Sequence, residues 1–152
     1  LVSSFRGERK PSTGNKPARE NIMTKIVLGK TPKTFAPFNV DFPMPDGTTG
    51  EIKVTFKYRT RTQFGEFLNK IFADAGEEPA SDGNIDFEVL FSKTKDKNAD
   101  HLLEALDAWE GIDAVLNRDS LQSLANELPA ASVALMAAYN KACTEGKLGN
   151  LE

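Results

Sequence analysis

Cysteine and histidine are almost missing from this chain of 152 residues, in which Cys143 and His101 are single examples. One thiol excludes an internal disulfide, and one imidazole leaves no His/Cys cluster of the kind that holds zinc. Long apolar runs are missing too. No stretch approaches the roughly 18 residues that a membrane-spanning helix needs, and the N-terminal region lacks the apolar middle of a secretory signal. These absences imply a reducing, cytoplasmic setting. There is no excess of positive charge, since the formal net charge is −3. Residues 1–21 carry five cations against two carboxylates, so the remainder is more acidic still. An acidic body repels nucleic acid at long range.

What is present suits an ordinary folded domain. Charged residues make up 27% and aromatics 9% of the chain, a soluble mixture. A domain of this length buries about two thirds of its unfolded surface. Residues 1–22 are rich in Gly, Ser, Pro and charge and read as a disordered leader, with Met23 as a natural start. Residues 23–150 read as one domain, and Leu151-Glu152 as a cloning scar.

Period-two alternation marks two strands. Phe38, Val40 and Phe42 share one face of residues 34–42, and Ile52, Val54, Phe56 and Tyr58 share one face of 51–58. The intervening PMPDGTTG is a turn-rich loop, so the pair predicts a hairpin, with Pro37 suited to an edge strand. A helix follows. Thr60 and Gln63 fit a capping box, Phe64, Phe67, Leu68, Ile71, Phe72 and Ala75 form an apolar stripe, and Gly76 closes it. Residues 85–91 fit either a strand or a helix. The spacing of Phe87, Phe91, Thr94, Asn98, Leu102, Ala105 and Trp109 favours one helix over 86–109, with a break near Asn98 and an end at Gly111. Asp119 and Gln122 repeat the capping-box form before Leu121, Leu124, Ala125 and Leu128. Pro129 suits the first turn of a last helix, lined by Val133, Met136, Ala137, Tyr139 and Cys143 and stopped by Gly146. Strands first and helices after predict an α+β fold: an N-terminal antiparallel hairpin or small sheet packed against a bundle of about four helices.

No catalytic, cofactor or metal site emerges. Gly29-Lys30-Thr31 echoes a phosphate loop, but the earlier glycine of that motif is replaced by Thr24. His101, next to Asp100 and near Glu104, reads as a surface or boundary residue. Cys143 lies near a helix C-terminus, where the dipole disfavours a thiolate, and reads as a structural thiol. The segment 53–61 interleaves Lys53, Lys57, Arg59 and Arg61 with Phe56 and Tyr58, so the alternative function is a nucleic-acid adaptor. Alternation sets the lysines opposite the aromatics, as in a half-buried strand.

The second half has a recognisable layout. Trp109-Glu110-Gly111-Ile112-Asp113 is followed by a spacer and by Asp119-Ser120-Leu121-Gln122-Ser123-Leu124. Leu128-Pro129-Ala130-Ala131 and Ala137-Ala138-Tyr139 come next, and Glu145-Gly146-Lys147-Leu148-Gly149-Asn150 closes the series. With the hairpin ending in Phe56–Thr62, this resembles the tail assembly chaperones of long-tailed bacteriophages and prophages over residues 34–150. The resemblance implies no enzymatic activity. It implies binding to the helical tape-measure protein before the tail tube polymerises, contact with tail-tube subunits, and a longer form made by frameshifting near Glu145-Gly146-Lys147. A minor structural tail subunit is a third reading.

Such a partner exposes apolar helix faces, and helix-in-groove packing would cover them. Phe64, Phe67, Phe72, Val133, Met136 and Tyr139 are the expected partner-binding residues, shared between core and partner. The plainer alternative is that they are wholly core. An open hairpin edge also predicts self-association.

Overall fold

The computed structural model describes residues 25–148. The expectations for residues 1–22 and 151–152 lie outside that range. The chain divides into a unit of residues 1–31 and a unit of residues 32–152. In the first, Lys30 N–H donates to Val27 O across a turn, and Ile26, Val27 and Leu28 are exposed.

The second unit is α+β, as its strand and helix patterns predict. Strands β1 (Phe38–Pro43) and β2 (Thr49–Phe56) form the hairpin, and β3 (Leu106–Glu110) pairs with the far edge of β2, giving an antiparallel order β1-β2-β3. Phe38 faces Val54 and Pro43 faces Thr49. Alternation then puts Val40, Phe42, Ile52, Val54 and Phe56 in the core and leaves Asn39, Asp41, Glu51 and Lys53 outside. The turn is tied by Asp46, whose Oδ1 accepts from Thr48 N–H at 3.0 Å and from Thr48 Oγ1 at 2.6 Å. Gly47 supplies the positive φ, 89°, that the turn requires.

Five α-helices among the described residues pack against the inner face of the sheet or one another. Helix α1 (Arg61–Ala75) has the expected capping box: Thr60 Oγ1 accepts from Gln63 N–H, and Gln63 Oε1 accepts from Thr60 N–H. Phe64, Phe67, Ile71 and Phe72 are its buried stripe, and Gly76 closes it in the left-handed region.

The helix expected over 86–109 does break near Asn98, into α2 (Phe87–Lys93) and α3 (Asn98–Ala105) around a 3-10 turn at Lys95–Lys97, but its expected last turn is instead strand β3. Buried polar bonds span the first break. Thr94 Oγ1 lies 3.0 Å from Leu90 O and 2.9 Å from Asn98 Oδ1, while Asn98 Nδ2 donates to Phe91 O at 3.1 Å. These groups satisfy one another inside the core, so the break leaves few orphaned groups. The second break is a tertiary demand. Lys57 N–H donates to Ala105 O, and β2 takes residues 106–110 as its third strand, with a bulge at Thr55/Phe56. Trp109 therefore sits opposite Val54 in a strand, and Gly111 follows that strand rather than a helix.

The cap of α4 (Arg118–Glu127) also differs from the Asp119–Gln122 expectation. Asn117 is the N-cap: its Oδ1 accepts from Ser120 N–H at 2.9 Å, and Ser120 Oγ accepts from Asn117 N–H at 3.0 Å. Asn117 is fully extended, and Asp119 already lies in the first helical turn, where its charge favours the dipole. Helix α5 (Pro129–Glu145) begins at Pro129 and ends at Gly146 as expected. Its buried face runs through Ala131, Ser132, Leu135, Met136, Tyr139, Ala142 and Cys143, whereas Ala137 is exposed and Val133 half-buried.

Tyr139 ties these layers together. It is fully buried, with its ring 4.8 Å from Phe56, 5.4 Å from Phe64 and 5.9 Å from Phe67 between centroids. Its hydroxyl donates to Lys57 O at 2.9 Å and accepts from Arg59 Nη1 at 2.7 Å. Arg59 also donates to Glu104 O and stacks over Phe67, 4.4 Å from the ring centre. One buried phenol thus joins β2, α1 and α5, and its cation partner reaches α3.

Tyr139→Phe keeps the ring and leaves Lys57 O and one guanidinium N–H short of a partner. It should cost about 1–3 kcal/mol in urea denaturation, and unchanged stability would show that the bonds are not needed. Burial pushes the Tyr139 phenol from 10.0 up to about 12, and the Cys143 thiol from 9.0 up to about 11. Both hold their protons more tightly folded than unfolded. Stability is therefore full below about pH 9 and falls as pH rises toward about 12. Alkaline denaturation should follow that course, and Tyr139→Phe should flatten its upper part.

Candidate functional site

The six residues expected to bind a partner separate into two groups. Phe64, Phe67, Phe72, Met136 and Tyr139 are buried in the core. Val133 is half-buried and lines an open apolar groove of about 960 Å³. The groove runs between the hairpin turn at Pro43–Pro45, the exposed side of α2 and the junction of α4 with α5.

Its walls follow from local geometry. Gly50 lacks a side chain where a Cβ would meet Met44 Sδ at 2.7 Å and the Phe42 ring at 2.8 Å, so Met44 can lie down over β2. Phe91, on α2, reaches the groove from the opposite side. Leu128 and Pro129 form the corner where α4 gives way to α5: the Leu128 N–H still bonds Leu124 O, and Pro129 opens the new helix. Leu128 has no polar side chain, so the N-terminus of α5 has no side-chain cap. The rim carries Glu88, Lys95 and Glu127, none in an ion pair among the described residues. On the floor, Ser132 is 1% exposed and its Oγ has no hydrogen-bond partner among the described residues. Its buried neighbour Asn98 is satisfied through Phe91 and Thr94.

His101 is not at the boundary. It is 1% exposed, with Nε2 2.9 Å from Asp74 Oδ2. A carboxylate only accepts, so Nε2 carries the proton. This bond is the main cause holding the Asp74 carboxyl below its ordinary range. Sequence adjacency pointed to Asp100 and Glu104. The actual partner comes from the end of α1, and Asp100 instead pairs with Arg118 at 2.7 Å. Cys143 is buried, and its raised pKa suits a structural thiol.

The basic segment 53–61 does not gather into a cationic platform. Lys53 faces Glu110 across the sheet. Lys57 and Arg61 donate to the backbone carbonyls of Leu103 and Thr144, and Arg59 is engaged at Tyr139 and Phe67. Among the described residues, no three His, Cys, Asp or Glu gather to hold a metal ion, and no helix is long and apolar enough to cross a membrane.

No curated protein and no solved structure matches the chain. A family model described as phage tail assembly chaperone matches residues 23–150. That span contains the sheet, the five described helices and the walls of the groove, and the chain belongs to the phage tail assembly chaperone family.

Proposed function

We propose that this chaperone binds the tape-measure protein of its phage or prophage in the host cytoplasm and holds it soluble until the tail tube polymerises around it. The supporting observation is the apolar groove at the α4–α5 junction, joined to membership of a family defined by tail assembly. A helical protein awaiting its tube exposes apolar stripes, and a concave apolar surface covers such a stripe by helix-in-groove packing. The chain acts by binding, and the groove offers no group poised to make or break a covalent bond. Val133 contacts the partner directly. Phe64, Phe67, Phe72, Met136 and Tyr139 support that surface from within, and contact with tail-tube subunits and self-association are subsidiary parts of the same reading.

Co-expression of the tape-measure protein with this chain tests the proposal. The expected result is a soluble complex that copurifies, with the tape-measure protein insoluble when expressed alone. A tape-measure protein that is equally soluble alone and does not copurify would contradict it. In a pulldown from that co-expression, Val133→Arg should release the partner while urea stability stays within about 1 kcal/mol of wild type. Retained binding would move the surface elsewhere.

A further inference from the structure

We infer that the groove takes an amphipathic helix whose apolar stripe is bordered by Lys or Arg, with one of these cations seated at the corner where α4 ends. The inference rests on the tape-measure reading above and assigns the charge of the segment that is bound.

Glu127 carries the argument. It is the last residue of α4, it is exposed, and it lines the groove. The C-terminal end of a helix is its negative end, so a carboxylate there opposes the dipole. The last turn of α4 has no basic residue to offset it, and Glu127 has no ion pair among the described residues. Pro129 sharpens the effect. It has no N–H, so Ala125 O lacks the bond that would continue α4, and Ala125 and Asn126 line the groove beside Glu127. The corner therefore gathers a full negative charge and helix carbonyls that accept hydrogen bonds, which suits an ammonium or guanidinium donor. Local rules of this kind are broken at functional sites.

The rest of the rim has the same sign. Glu88, on the α2 side of the groove, is a second carboxylate without an ion pair among the described residues. Its place in the first turn of α2 also suits that helix, and Lys95 follows the end of α2, where a cation is favoured. Glu127 alone has no such explanation. The lining thus sets two carboxylates against one ammonium. The chain beyond residue 21 is acidic as well and attracts a basic segment at long range. Met44, Phe91 and Val133 take the apolar stripe between the charged borders.

Glu127→Lys separates this role from folding, because the two effects have opposite sign. A lysine at the end of α4 agrees with the dipole, so urea stability should hold or rise. The same change sets like charges at the corner, so binding should fall. Glu127→Gln, which removes the charge and adds none, is the milder second variant. Wild type and both variants, each as the full chain, are titrated at low and high salt with synthetic helical fragments of the tape-measure protein. Fragments with each Lys or Arg changed singly to Glu are titrated alongside, and where only the whole tape-measure protein binds, the same changes are compared by copurification. Expected are affinities weaker by about tenfold for Glu127→Lys and by less for Glu127→Gln at low salt, with both differences shrinking as salt rises. One reversed cation should restore binding to Glu127→Lys. Unchanged or tighter binding by the two variants, or a loss that no reversed cation restores, overturns the basic border and leaves the chaperone reading intact. Failure of every fragment and of the whole tape-measure protein to bind wild type overturns both.

Discussion

The bond pair at Tyr139 is the constraint on which the rest of the molecule hangs. A phenol buried among Phe56, Phe64 and Phe67 needs partners for its hydroxyl, and Lys57 O and Arg59 supply them. Arg59 in turn is held by Glu104 O and by the face of Phe67. The aromatic stripe of α1 and the middle of α5 are thereby committed to the interior. They cannot be offered to a partner without opening the core. What α5 has left to offer lies at its N-terminal turn and on the side marked by Val133, which face the groove.

In the proposed reading, that division lets a small protein bind apolar surface and stay folded. The core holds the buried face of α5 along its length, from Ala131 to Cys143. Beside its N-terminal turn, the hairpin turn, α2 and the α4–α5 corner leave a concavity whose apolar lining is rimmed by charge. This concavity, apolar within and bordered by polar side chains, is the surface assigned to the partner in the proposed reading. The outer face of the sheet is mostly polar, with Asn39, Asp41, Glu51, Lys53 and Glu110 exposed on it.

Local signals in the sequence were enough for the hairpin, for α1 with its Thr60–Gln63 box, and for the bounds of α5 at Pro129 and Gly146. In each, propensity, capping and periodicity agree with the tertiary structure. Residues 106–110 misled because the helical spacing of Thr94, Asn98, Leu102 and Ala105 continues to Trp109. The break near Asn98 is tied by local side-chain bonds between Thr94, Asn98 and Phe91, whereas β3 exists because β2 has an edge to pair. That cause is not local. The groove was illegible for the same reason: Met44, Phe91 and the pair Leu128 and Val133 come from three separate segments and share no period. The pairing of His101 with Asp74 joins two helices 27 positions apart in the chain, beyond the reach of any motif.

Hydrogen exchange of the full chain with and without the tape-measure protein is the most direct test of the central claim, that the buried face of α5 holds the fold and its N-terminal side at Val133 holds the partner. The account predicts added protection in the backbone around Met44, along α2 and over the first two turns of α5, with little change in the already protected helix α1. Protection confined to the outer face of the sheet, or spread evenly over the chain, would contradict it.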